Sequence, residues 1–156
     1  MKELTVSILA FALASQLLAQ DYVPYPDGYK EYKHIKTLVI KPEHPQAEIF
    51  VGIHHIYAND KAYKGYKNKE FEDGSIIVLD YLKYEDVNHT IYETSRNYVA
   101  VMHKDEKKYA KTKGWGYEAF AGNSKDKRLV NDVNKMCFDC HLQQEKNDYI
   151  FSKLRK

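Results

Sequence analysis

Ser75-Ile76-Ile77-Val78-Leu79-Asp80-Tyr81-Leu82-Lys83-Tyr84 is the stretch on which the fold turns. It follows Asp73-Gly74, a turn signal, and is rich in β-branched and aromatic residues, so it predicts a strand. Side chains alternate across a strand. Ile77, Leu79 and Tyr81 therefore point one way, and Ile76, Val78 and Leu82 the other. Both sets are apolar, and a strand apolar on two faces belongs in the middle of a sheet.

The flanking sequence supplies its neighbours. Thr37-Leu38-Val39-Ile40 predicts a strand that Pro42 and Pro45 end. Ile49 to Tyr57 predicts another. Thr90 to His103, ending in Tyr98-Val99-Ala100-Val101-Met102, and Gly114 to Phe120 add two more. Tyr22 to Gly28 is an extended lead-in, since Pro24 and Pro26 disfavour helix in the residues before them. Helix is expected over Tyr29 to Ile35, and again after Asn59, whose side chain suits an N-cap. Lys104 to Lys113 predicts an exposed, partly helical connection. After the break at Gly122-Asn123-Ser124, helix is expected from Lys127 into residues 137–141. A last short helix begins at Asn147-Asp148 and carries Ile150, Phe151 and Leu154. Strands first and helices last predict an α+β domain, a mostly antiparallel sheet with a C-terminal helix.

The chain has 156 residues, enough for one core and too few for two. A net charge of +2 gives no electrostatic footprint for nucleic acid. The 14 tyrosines suit half-buried strands, where the ring packs and the hydroxyl stays wet. Residues 1–19 have the pattern of a signal peptide: Lys2, an apolar run from Leu4 to Ala14, then a small-residue site at Leu17-Leu18-Ala19 or Ala12-Leu13-Ala14. The run is shorter than the ~20 apolar residues a membrane span needs. The expectation is export to the periplasm, cleavage after Ala19 and no membrane insertion afterwards. Residues 20–156 then form a single domain.

Cys137-Phe138-Asp139-Cys140-His141 is C-x-x-C-H, the attachment signature of c-type haem. On a helix, positions i, i+3 and i+4 share a face. Cys137 and Cys140 can thus form thioethers at one porphyrin edge while His141 reaches the iron as proximal axial ligand. One covalent haem c is expected. A thioredoxin-like pair would sit near the start of a helix in an early βαβ unit. Zinc would need four ligands, and the chain has only these two cysteines.

The sixth iron position decides function: Met or His there makes an electron carrier, an open position a gas binder or an enzyme. His34, His44, His54, His55, His89, His103, Met102 and Met136 are candidates, and none stands out from the sequence.

Several stretches, in order, resemble the cytochrome P-460 family, which includes the cytochromes c′-beta. They are His55-Ile56-Tyr57-Ala58-Asn59, Glu70 to Val78, Met102-His103-Lys104-Asp105, Gly114-Trp115-Gly116-Tyr117, the haem motif, and Asp148-Tyr149-Ile150-Phe151-Ser152. The resemblance implies an antiparallel sheet with a C-terminal haem-bearing helix, a homodimer and a five-coordinate haem. Hydroxylamine-oxidising members cross-link a lysine of the central strand to the porphyrin; here that position falls at Leu79, with Lys83 further along. Their distal carboxylate falls at Ala100, with Glu93 the nearest upstream alternative. Both departures disfavour that chemistry. The cytochrome c′-beta branch implies an apolar distal pocket. Leu79 is its first candidate, followed by Phe50, Ile53 and Ile77, with core packing the competing role.

A dry pocket without a hydrogen-bond donor leaves bound O₂, which builds negative charge, unsupported. Nitric oxide and carbon monoxide need less help. The sequence therefore predicts a gas-binding haem protein, chiefly for nitric oxide. The alternatives are a hydroxylamine-oxidising enzyme and an electron-transfer cytochrome with a Met or His sixth ligand, served by a redox partner cytochrome.

Overall fold

Five strands hydrogen-bond in chain order, each neighbouring pair antiparallel: β1 (Lys33–Ile40), β2 (Gly52–Ala58), β3 (Ile76–Val87), β4 (Thr90–Lys104) and β5 (Trp115–Ala121). The computed structural model describes residues 22–155, so the signal-peptide reading of residues 1–19 lies outside the described residues. Helical pieces lie between and after the strands: α1 (Ala47–Phe50), α2 (Asp60–Asn68) and a helical segment over 134–147. That segment opens as a π turn (Asn134–Phe138), tightens to one α turn (Asp139–His141) and ends as 3₁₀ (Leu142–Asn147). The architecture is α+β, as the sequence predicts. No helix among the described residues is long and apolar enough to cross a membrane.

β3 is third of five, and its alternation builds two cores. Ile77, with Ile35, Ile56, Ala58, Trp115 and Tyr117, packs under Ala62, Phe71, Phe138, Tyr149 and Ile150. Val78, with Val99, Val101 and Phe120, packs under Val23, Tyr29 and Tyr109. The N-terminal lead-in therefore roofs the second face. Each large apolar side chain so enclosed contributes roughly 1.5–3 kcal/mol.

Two polar devices fix the register around β3. Asn59 caps α2 by accepting from the Ala62 amide at 2.9 Å. The same oxygen accepts from Ile76 N at 3.1 Å, while Asn59 Nδ2 donates to the Gly74 carbonyl at 2.9 Å, tying the helix to the start of β3. On the opposite face, buried Asp80 accepts from Arg96 and from the Tyr29 hydroxyl.

Gly65 of α2 is a close-approach position: a Cβ there would lie 2.4 Å from the Phe71 ring, which packs on Trp115. We predict that Gly65→Ala loses more to overpacking, about 1–3 kcal/mol, than the ~1 kcal/mol it gains in helix propensity. Urea denaturation should show a lowered midpoint at unchanged slope; an unchanged or raised midpoint would contradict the close contact.

Five expectations need correction. The strand expected from Ile49 starts at Gly52, because Ile49 and Phe50 belong to the helical turn α1, closed by the Val51 amide donating to the Ala47 carbonyl at 3.2 Å. Helix over Tyr29 to Ile35 shrinks to a 3₁₀ turn, Tyr29–Glu31, because Tyr29 is anchored to Asp80 and β1 must run extended beside β2 from Lys33. The stretch after Lys127 is not helical until the segment at 134. Buried Glu118 draws it onto the edge of β5 by accepting from Arg128 at 2.8 Å and from Val130 N at 3.2 Å. Lys104 is not part of an exposed connection; it is 5% exposed at the end of β4. The last short helix is absent: Asp148 (φ 48) and Tyr149 (φ 62) are left-handed, and 150–155 runs without helix. Tyr149 and Ile150 are nonetheless core residues.

Candidate haem site

Phe138, 7% exposed, pins the helical segment to the first core and packs on Tyr149 at 5.6 Å between ring centroids. This leaves Cys137 and Cys140, half-buried, on either side of the anchored turn. Both are free thiols. Burial, more than the charges of Glu118 and Cys140, pushes the Cys137 thiol up to about 12. Reactive redox cysteines are shifted the other way, toward thiolate.

His141 is placed as an axial ligand requires. Its Nδ1 lies 2.6 Å from the Tyr149 carbonyl, an acceptor, so Nδ1 carries the proton and Nε2 keeps its lone pair free for a metal. Burial holds its pKa below the ordinary value despite that bond, which keeps the ring neutral. Tyr117 and Phe151 wall the imidazole at 4.9 and 5.0 Å.

The sheet opposite the cysteines has a gap in its cover. Cross-strand register aligns Ile56, Leu79, Ala100 and Ala119 in one row. Leu79, Ala100 and Ala119 are half-buried, as is Met102 in the next row. On the other face Val78, Val99 and Phe120 are 0% exposed. Cys137 lies near this gap. It packs on the cluster that holds Leu79, Met102 and Tyr117, and Tyr98 and Tyr117 bracket the Ala100–Ala119 pair. Alanines make a shallow floor beside two thiols and an oriented histidine. A flat, apolar macrocycle fits that arrangement: Cys137 and Cys140 could hold its edge, and His141 Nε2 its iron.

The remaining sequence candidates distribute as follows. Leu79 and Ile77 belong to the cluster that includes Cys137. Leu79 pairs directly with Ala100, so the two positions where the resemblance places lysine and carboxylate are cross-strand neighbours, both apolar here. Phe50 closes α1 and packs on His54, at the far end of the same sheet face, where His54 lies tilted on Tyr81 at 4.5 Å and Tyr81 meets Tyr98 edge to face at 4.8 Å. Ile53 is buried beside Leu82 across β2 and β3. Lys83 lies in the irregular register between Leu82 and Tyr84 and is exposed. Glu93 pairs with His55, His55 with Thr37, and Thr37 with His34, on the opposite face. His103 packs on Tyr109; His44 and His89 are in loops; Met136 is exposed. Of the eight sixth-ligand candidates, Met102 is the one packed in the cluster with Cys137.

Lys104 and Asp148 form a largely buried ion pair that the sequence reading missed. Their Nζ···Oδ1 distance is 3.3 Å across 44 residues of sequence, and only the fold brings them together. A lysine closing an apolar strand was the available signal.

A model of the Cytochrome P460 family matches residues 26–152, which includes all five strands and the cysteine motif. No curated protein matches the chain. The fold, the haem-fitting arrangement of Cys137, Cys140 and His141, and a match over most of the length agree: the chain belongs to the cytochrome P460 family and is a haem-binding cytochrome.

Proposed function

We propose that the protein is a periplasmic mono-haem c-type cytochrome that binds nitric oxide at a five-coordinate iron. Cys137 and Cys140 would carry the haem covalently and His141 would be its proximal ligand. When bound, the haem would supply the iron at which a small gas is taken up. The observation that carries the reading is the apolar row Ile56–Leu79–Ala100–Ala119. The side chains of that row carry no hydrogen-bond donor, so they favour an uncharged diatomic over a ligand that builds negative charge. The same row supplies neither the lysine nor the carboxylate of a hydroxylamine oxidase. Export rests on the sequence of residues 1–19, and action as a homodimer on the family resemblance.

The test is an optical spectrum of the ferrous protein with and without carbon monoxide and nitric oxide. High-spin ferrous haem that binds both gases is the expected result; a low-spin six-coordinate spectrum indifferent to carbon monoxide would overturn it. Leu79→Gln should speed autoxidation of the ferrous form at least several-fold by admitting water and a polar group. A second reading, an electron carrier with Met102 as sixth ligand, draws on the place of Met102 in the Cys137 cluster. Met102→Leu separates the two, because it leaves an open-site spectrum unchanged and abolishes a six-coordinate one.

A further inference from the structure

The buried cation at the end of β4 has an indirect line to the proximal histidine. Lys104 is 5% exposed, and its Nζ meets Asp148 Oδ1 and Oδ2 at 3.3 and 3.4 Å. It also contacts the Lys113 carbonyl at 3.5 Å and sits 5.2 Å from the Trp115 ring centroid. Trp115 is fully buried, so the ammonium is held on three sides. Asp148 and Tyr149 are consecutive left-handed residues, neither of them glycine. Such backbone persists only where its surroundings over-determine it. Backbone bonds close the turn, the Asp148 amide donating to the Glu145 carbonyl at 3.1 Å and the Tyr149 amide to the Gln144 carbonyl at 2.8 Å, while the buried Tyr149 ring packs on Phe138; the ion pair is what holds the Asp148 side chain. The turn thus formed presents the Tyr149 carbonyl to His141 Nδ1 at 2.6 Å.

A carbonyl on Nδ1–H makes an imidazole more basic, and a more basic imidazole donates more charge to a metal on Nε2. We propose that Lys104 is a positioning residue for the proximal histidine. Its ion pair with Asp148 holds the left-handed turn that aims the Tyr149 carbonyl, and so sets how strongly His141 donates to the haem iron. This rests on His141 being the proximal ligand. Gas binding is scored separately, by the carbon monoxide spectrum, so failure of that reading leaves the clamp to be judged on its own measurements.

The experiment compares the full-length holoprotein with Lys104→Met, Lys104→Arg and Asp148→Asn. Met keeps the length and apolar contact of the lysine stem, and Asn tolerates the left-handed conformation, so Asp148→Asn serves if Lys104→Met does not fold. The readouts are the ferrous iron–histidine stretching frequency by resonance Raman and the haem reduction potential. Weaker donation lowers the first and raises the second, because ferric iron loses more stabilisation than ferrous iron. Lys104→Met and Asp148→Asn should show both shifts, and Lys104→Arg should stay close to the parent. If Lys104→Met and Asp148→Asn lose thermal stability while frequency and potential stay at parent values, the pair is structural only and the proposal is overturned.

Discussion

Cys137→Ser/Cys140→Ser should abolish haem retention under denaturing conditions, while either single replacement leaves the haem on one thioether. The double variant, made in a host that matures c-type cytochromes, should give no haem-stained band on a denaturing gel and an intact mass lacking one haem. The argument is chemical. Cys137 is a protonated thiol, pushed up to about 12 mainly by burial, and serine has no chemistry toward a vinyl group. The fold itself should survive, because Phe138 and not the cysteines anchors the helical segment. Losing the Cys137 sulfur from its place against the core costs on the order of 1 kcal/mol. The uncovered floor at Leu79, Ala100 and Ala119 gives a second readout. Without haem this half-buried apolar row keeps no cover of its own, so the double variant should bind a hydrophobic dye more readily. Covalent haem persisting in the double variant would contradict this assignment.

The parts of this molecule that were legible in the sequence depend on neighbours in sequence. The alternation of Ile76 to Leu82 predicts two covered faces, and both are present. Asn59 predicts a cap and is one, because a cap bonds the backbone two or three residues on. C-x-x-C-H is local by construction. What failed depends on contacts across long separations. Arg128 to Val133 has helical composition, yet Glu118 on a different strand draws its backbone onto the sheet edge. Ile150 and Leu154 have helical spacing, yet Lys104 and His141 between them hold Asp148 and Tyr149 in a left-handed turn. Lys104 opens a charged run that the sequence places in solvent, because a buried lysine needs a partner, and its partner is 44 residues away. The gap over Ala100 and Ala119 was equally invisible. It depends on which strands are neighbours and on where the helical segment stops.

The largest stability effect should come from Asp80, next to Leu79 on the central strand. Asp80 is 4% exposed and its carboxylate is fully used. Oδ1 accepts from Arg96 Nε, and Oδ2 accepts from Arg96 Nη2 at 3.0 Å and from the Tyr29 hydroxyl at 2.7 Å. Burial first, then the Asp80 carboxylate, push the Tyr29 pKa upward, so the hydroxyl stays protonated and keeps donating. Asp80→Ala leaves a guanidinium with little solvent access and a buried hydroxyl without its acceptor. Breaking a buried pair on one side costs about 3–5 kcal/mol. Total stabilities run about 5–15 kcal/mol, so this is a large share. The melting temperature should fall by roughly 10–20 °C. Asp80→Leu/Arg96→Met with Tyr29→Phe removes every member of the network together and should recover most of the loss, since an apolar replacement of a whole buried pair is often neutral. A drop for Asp80→Ala smaller than that of the triple variant would overturn the argument. The effect also bears on the site. The network grips β3 one residue from Leu79, at the edge of the irregular register after Tyr81. Slipping β3 by one residue would turn Leu79 to the opposite face and bring Asp80 to the haem side. Asp80→Ala should therefore broaden the haem absorption bands at temperatures well below its melting point, a signature that simple destabilisation elsewhere in the sheet would not produce.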